Sequence, residues 1–187
     1  MEYFNAYFFR IRAFILSNIG ASENLMKDRL NIKTLKVTGY KIFVGKDSLM
    51  SLRESKSLKR RYPIDKILFS VYTNQGTLNV HLDYGFGFDG RSGPPIIDWY
   101  APNLGRLEER LTWLTHDVNG YGRSLSFKDT NTLLFAMLRD LCGYSKIKAS
   151  TIRYAVSLSK SWYGEPKEDD WCHANLDKLH VVQFKLA

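Results

Sequence analysis

The chain has 187 residues, 44% hydrophobic and 14% aromatic, which is enough for one buried core and too apolar for a disordered segment. A net charge of +8 turns it toward anionic partners: nucleic acid, phospholipid head groups or cell-envelope polymers. Its two cysteines, Cys142 in an apolar run and Cys172 beside Trp171, form neither a disulfide framework nor a CxxC site. A reducing compartment is the default, with a single bridge left open.

The N-terminus, MEYFNAYFFRIRAFILSNIG, has no basic residues ahead of its apolar run and no small-residue cleavage site, and Arg10 and Arg12 interrupt it. It reads as neither a signal peptide nor a spanning helix, being too short to cross a bilayer. Tyr3, Tyr7, Ile11 and Phe14, with Phe4, Phe8, Ile15 and Ile19, recur at helical spacing. Residues 1–30 are therefore expected to form an aromatic amphipathic arm, packed on the chain's own core or on a partner subunit. The other reading is an interfacial membrane helix with a basic rim. Residues 31–187 are expected to be a single domain.

From Asn31 to Asp83 the runs KTLKVTGYKIFVG and DKILFSVYTNQGTLNVHLDYGFGF are rich in β-branched and aromatic residues, and Asn74-Gln75-Gly76 interrupts an alternation that resumes at Leu78, Val80 and Leu82. This predicts strands joined by a hairpin. Between the runs, Lys56, Lys59, Arg60 and Arg61 crowd before Pro63, either as a solvated loop or as a phosphate-binding patch.

The stretch YGFGFDGRSGPP follows. Its glycines free the backbone and Pro94-Pro95 stiffen the exit. Such a loop aims carbonyls and carboxylates at a cation or amides at an anion; equally, Asp89 bonds its own turn. Gly85 and Gly87 lack the helix start that a dinucleotide fold needs.

Three helices are expected next. In the first, Leu104, Leu107, Leu111, Leu114 and Val118 form one stripe, and at 100° per residue His116 falls almost opposite it, with Asp117 on its flank near the helix end. The second opens at Ser126, whose spacing to Asp129 is that of a capping box, so Asp129 is structural. Asn131 lies at the edge of that helix's apolar face, where an unpaired amide is costly, and His116 is the candidate partner. The third is expected from Lys146 to Trp162, with Ile152, Ala155, Val156, Ser159 and Trp162 inward. In the tail, His173, Asp177 and His180 would share one helical face with metal-ligand spacing if it were helical.

Phe88, Asp89, Gly90, Ser92 and Pro94 in a loop, then His116-Asp117 on a helix, resemble a family frequent in bacteriophage genomes, domain of unknown function thirteen fifty-three. Its pattern is a Phe-Asp-Gly-x-Ser-x-Pro loop, a His-Asp-x-x-Tyr helix and a second helix with a small polar or acidic start. Here the tyrosine falls one place later, at Tyr121, and Asn131 stands where an acidic residue is usual. The resemblance covers about residues 84–164. It implies a virion or host-cytoplasm location and partners among other virion proteins, or a homo-oligomer through the arm.

The order of parts is also similar to secreted and viral phospholipases of the A-two class. That likeness implies His116 as general base, Asp117 and the Gly85–Gly90 loop as calcium ligands, Asn131 holding the second ring nitrogen, and a phospholipid substrate. The paired cysteines that brace those enzymes' helices are missing here. The expected architecture is α+β: a small antiparallel sheet with an N-terminal amphipathic helix and a C-terminal antiparallel three-helix array. Expected functions are virion assembly or host-envelope interaction, a His-Asp hydrolase acting on phospholipid or cell-wall material, and a nucleic-acid-binding module.

Overall fold

The computed structural model describes residues 28–51, 62–64, 66–83, 86–88, 105–122, 125–158 and 180–187. Residues 1–27 of the arm expected over 1–30, the Lys56–Arg61 patch, Asp89, Gly90, Ser92, Leu104, Ser159, Trp162, His173 and Asp177 lie outside these residues.

The fold is α+β. Strand β1 (Val37–Val44) leads into a short helix, α1 (Lys46–Ser51). Strand β2 (Tyr62–Ile64) precedes the hairpin of β3 (Ile67–Thr73) and β4 (Gly76–Leu82), and β5 (Phe86–Phe88) pairs back on β2. Helices α2 (Leu107–Gly122), α3 (Phe127–Asp140) and α4 (Lys146–Ser157) follow, and β6 (His180–Leu186) closes the chain. The main sheet is antiparallel in the order β1-β3-β4-β6.

Period-two alternation builds this sheet. Phe69 pairs with Val80, Val71 with Leu78 and Ile67 with Leu82, and all six side chains are fully buried. Each contributes about 1.5–3 kcal/mol on leaving water. The expected hairpin forms with a two-residue turn, Asn74-Gln75. The turn side chains also do distant work: Asn74 Oδ1 accepts from Lys36 N at 2.8 Å, and Gln75 Oε1 accepts from Asn31 N at 2.8 Å. Gly76 answers to packing as well as to the turn. A Cβ there would stand 2.4 Å from Lys185 O and 2.7 Å from the Phe184 ring, so β6 crosses where only glycine fits.

The tail is a strand where it is described, which takes His180 out of the helical face expected with His173 and Asp177, two residues that lie outside the described ones. Phe184 is buried between the exposed Gln183 and Lys185 and pairs with Leu78, and His180 pairs with Leu82 at the strand's start. The middle of the presumed calcium loop is also a strand: Gly87 pairs with Pro63, so that backbone serves a two-stranded ladder.

Ser126 caps α3 by accepting from Asp129 N at 3.1 Å, and Ser145 caps α4 by accepting from Lys148 N at 3.2 Å. Gly143, at φ +70°, turns the chain between them, with Tyr144 N donating to Leu138 O at 3.0 Å. Ten successive residues of α3, Asp129–Leu138, are buried, as befits the central helix of an array flanked by α2 and α4. Its last turn ties the array to the sheet: Asp140 Oδ2 accepts from Val37 N at 2.8 Å and Arg139 donates to Leu35 O at 2.7 Å. No helix among the described residues is long and apolar enough to cross a membrane.

Candidate functional site

On α2 the polar residues Glu109, Thr112, His116 and Asn119 recur at intervals of three, four and three, one line along the helix. The buried Leu111, Leu114 and Val118 occupy the other side. Two faces are thus covered, the leucine face by apolar packing and the polar face by α3 and the chain just after it. Burial of Glu109, Thr112 and Asn119 requires internal partners, since an unmet polar group costs about 1–3 kcal/mol.

Most of the partners are present. Glu109 Oε1 accepts from Tyr144 Oη at 3.2 Å and from Arg106 at 3.4 Å. Thr112 Oγ1 donates to Glu108 O at 2.7 Å and lies 3.5 Å from Cys142 Sγ. Asn119 Nδ2 donates to Thr115 O at 2.8 Å. His116 Nε2 stands 3.3 Å from Asn131 Oδ1, and its ring meets Trp113 edge-on, with centroids 6.2 Å apart and planes at 72°. The contact expected between His116 and Asn131 is therefore made.

The orientation of the amide decides the chemistry. Asn131 Nδ2 donates to Phe127 O at 2.9 Å, one turn back, so its oxygen is the atom that faces the imidazole. An oxygen acceptor requires the proton on Nε2, leaving the lone pair on Nδ1. Burial pushes His116 down to about 4, with the Asn131 hydrogen bond working weakly against it. The ring is neutral at physiological pH.

Asp117 is partly buried on the same helix. The pair lies inside the helix and not at its end, because α2 runs on through Asn119-Gly120-Tyr121 to Gly122. At that position the helix dipole gives a charged imidazole little support, since its effect is confined to the last turn. Among the described residues no three His, Cys, Asp or Glu side chains gather as metal ligands, whereas calcium takes six to eight oxygens. Of the expected calcium ligands, Asp117 and the backbone of Gly87 lie among the described residues, and Gly87 is in a strand, while residues 85, 89 and 90 of the loop lie outside them.

Asp129 has a role that its capping-box spacing did not indicate. Its carboxylate is fully buried and accepts from Arg29 N at 2.8 Å and Leu30 N at 2.9 Å, fastening the start of the described chain to α3. Beside it, Asp28 accepts from Ser126 Oγ at 2.9 Å; Lys128, then Ser126, hold the Asp28 carboxyl below the usual range. Residues 28–30 thus belong to the packed body, with Leu30 in the core.

The intervals of Glu109, Thr112 and Asn119 around His116 were visible in the sequence as a second, polar stripe. Their partners Cys142 and Tyr144, about thirty residues away, carry no such signal. Both are chemically quiet: burial raises the Cys142 thiol to about 11, and burial with Glu109 nearby raises Tyr144 to about 12. Fold and site together define a small α+β protein with a neutral His–Asn pair between two helices, its asparagine buried and its histidine half-buried. Comparison with protein-family models, curated proteins and solved structures finds no match.

Proposed function

We propose that this is a bacteriophage-encoded, virion-associated protein that works by binding, in assembly or at the host envelope, and that His116 serves helix packing in it. The phage setting rests on the resemblance of the Phe88–Pro94 loop and the His116-Asp117 helix to the phage family. Binding is favoured over chemistry by one observation: His116 is bonded to a neutral amide in a site that keeps it uncharged. A general base acting near pH 7 needs an affinity for protons near that pH and a partner for the cation it becomes. Asn131 offers a dipole, and the imidazole is a weak base.

A hydrolase is the second reading, and the ring's tautomer favours it. An Nε2 proton fixed by Asn131 leaves Nδ1 as the basic atom, without a hydrogen-bond partner among the described residues.

The test is fatty-acid release from mixed phospholipid vesicles, with and without calcium, by wild type and by His116→Ala matched for folding. Binding function predicts no release from either. Release by wild type that His116→Ala abolishes would overturn the proposal and establish His116 as the base.

A further inference from the structure

Helix α4 carries two apolar faces. One, formed by Ala149, Ile152, Ala155 and Val156, packs into the array. The other points away from the body: Ile147 is 77% exposed, Tyr154 63%, and Leu158, at the helix cap, 67%. With Thr151 between them, these positions are spaced four, three and four residues apart, the interval of a seam between two helices. Single exposed apolar residues need no explanation, but a row of them along one helix opposite its packed face does.

The surroundings of the seam limit what can cover it. A groove of about 360 Å³ runs beside it, lined by Phe135, Lys146, Ile147, Ser150 and Thr151. Phe135 is itself only 5% exposed, so it forms the floor, below the ridge of Ile147. Basic residues flank the seam on both sides, Lys146 and Arg153 on one and Lys148 on the other, and α4 contains no acidic residue. Among the described residues no carboxylate pairs with Lys146 or Arg153. Lys148 lies over the Tyr144 ring, 4.2 Å from its centroid.

We infer that α4 docks an amphipathic helix of a partner protein, apolar along one face and acidic at both edges of that face. A partner helix reaches the Phe135 floor with its side chains and sets carboxylates against Lys146, Lys148 and Arg153. A flat lipid surface would meet the ridge and leave the floor uncovered. A second copy of α4 would bring basic edges against basic edges, which is repulsive. From Ile147 to Leu158 the seam is about 16 Å long, the length of three helical turns. The inference rests on the binding reading above and gives it a partner, but on residues separate from His116.

The probe is a fluorescein-labelled helical peptide of about three heptads, with Leu at a and d and Glu at e and g, titrated with the full-length protein by anisotropy. Wild type is expected to bind it, with affinity falling as salt rises. The exposed pair Ile147→Ser with Tyr154→Ser is expected to weaken binding about tenfold or more, with Tm unchanged. Arg153→Glu is expected to weaken it as well, and to improve binding of the same peptide with Lys at e and g. No binding by wild type, or equal binding of the Glu and Lys peptides, overturns the inference. So does a self-association, or an adsorption to phosphatidylserine vesicles, that the Ser pair abolishes while peptide binding is absent. Vesicle hydrolysis is unaffected by these variants, so the two proposals fail separately.

Discussion

Along β3 and β4, Ile67, Phe69, Val71, Leu78, Val80 and Leu82 form an apolar face, with Ser70 the buried polar residue of these strands, while the α2–α3 seam buries Glu109, Thr112, Asn119, Thr130 and Asn131. Both regions are interior, but they do different work. Apolar contact on the sheet is non-directional, so it stabilises strongly and tolerates small shifts. The seam's hydrogen bonds each add only about 1 kcal/mol net, yet they fix one rotation of α2 against α3. A slip of one residue would carry His116 away from Asn131 and break the bond at Asn131 Oδ1, leaving Asn131 only its bond to Phe127 O. The sheet supplies stability, and the seam supplies register.

The largest expected effect breaks the apolar side of this comparison. Phe69→Ala opens a cavity at a fully buried position flanked by Val80 and should cost about 3–5 kcal/mol in urea unfolding. A cost under about 1 kcal/mol would mean that the sheet is not the principal core.

Next in size is a pH effect confined to the seam. The folded protein holds His116 at about 4, while the unfolded chain titrates near 6.5. The unfolded chain therefore takes up a proton first as pH falls. This contribution to stability is whole above pH 6.5, shrinks between 6.5 and about 4, and is constant below. Across that window it amounts to about 3 kcal/mol. His116→Gln keeps a donor for Asn131 and removes the titration. Unfolding free energies of the two proteins, measured from pH 7 to pH 4.5, should therefore converge toward low pH. Parallel curves would show an imidazole that titrates normally and is not enclosed.

How much of this was legible follows the same division. Strands β3 and β4 were readable because period-two alternation is local, and the turn at Asn74-Gln75 marks its break. The His116–Asn131 contact was readable from Asn131, which sat where an amide cannot go unmet; the helical wheel placed His116 opposite the leucines, facing either solvent or a second contact surface. Strand β6 was not, because His173, Asp177 and His180 drew attention to a ligand pattern while the alternation around Phe184 spans only a few residues. The second reason for Gly76 was equally hidden, since Phe184 and Lys185 lie more than a hundred positions away in the chain. Asp129 misled in a different way. Its spacing from Ser126 was correctly read as a cap, but its carboxylate holds the backbone of residues 29 and 30, a contact across a hundred residues that no local pattern announces.

The smallest effect is the most discriminating, because it asks whether the seam is satisfied throughout. Thr112 and Thr115 are both buried on α2. The Thr112 hydroxyl donates to Glu108 O and touches Cys142, whereas the Thr115 hydroxyl is buried without a hydrogen-bond partner among the described residues. Exchanging hydroxyl for methyl should then act with opposite signs. Thr115→Val removes a desolvated group that gains nothing and should raise stability by about 1 kcal/mol, or about 3 °C in Tm for a chain of this size. Thr112→Val breaks a made bond and should lower stability by a similar amount. If both substitutions destabilise, Thr115 has a partner in the folded protein and the seam carries no internal debt. If Thr115→Val stabilises, one rung of an otherwise matched polar ladder is held at a cost, and the geometry of His116 beside it is the feature that cost preserves.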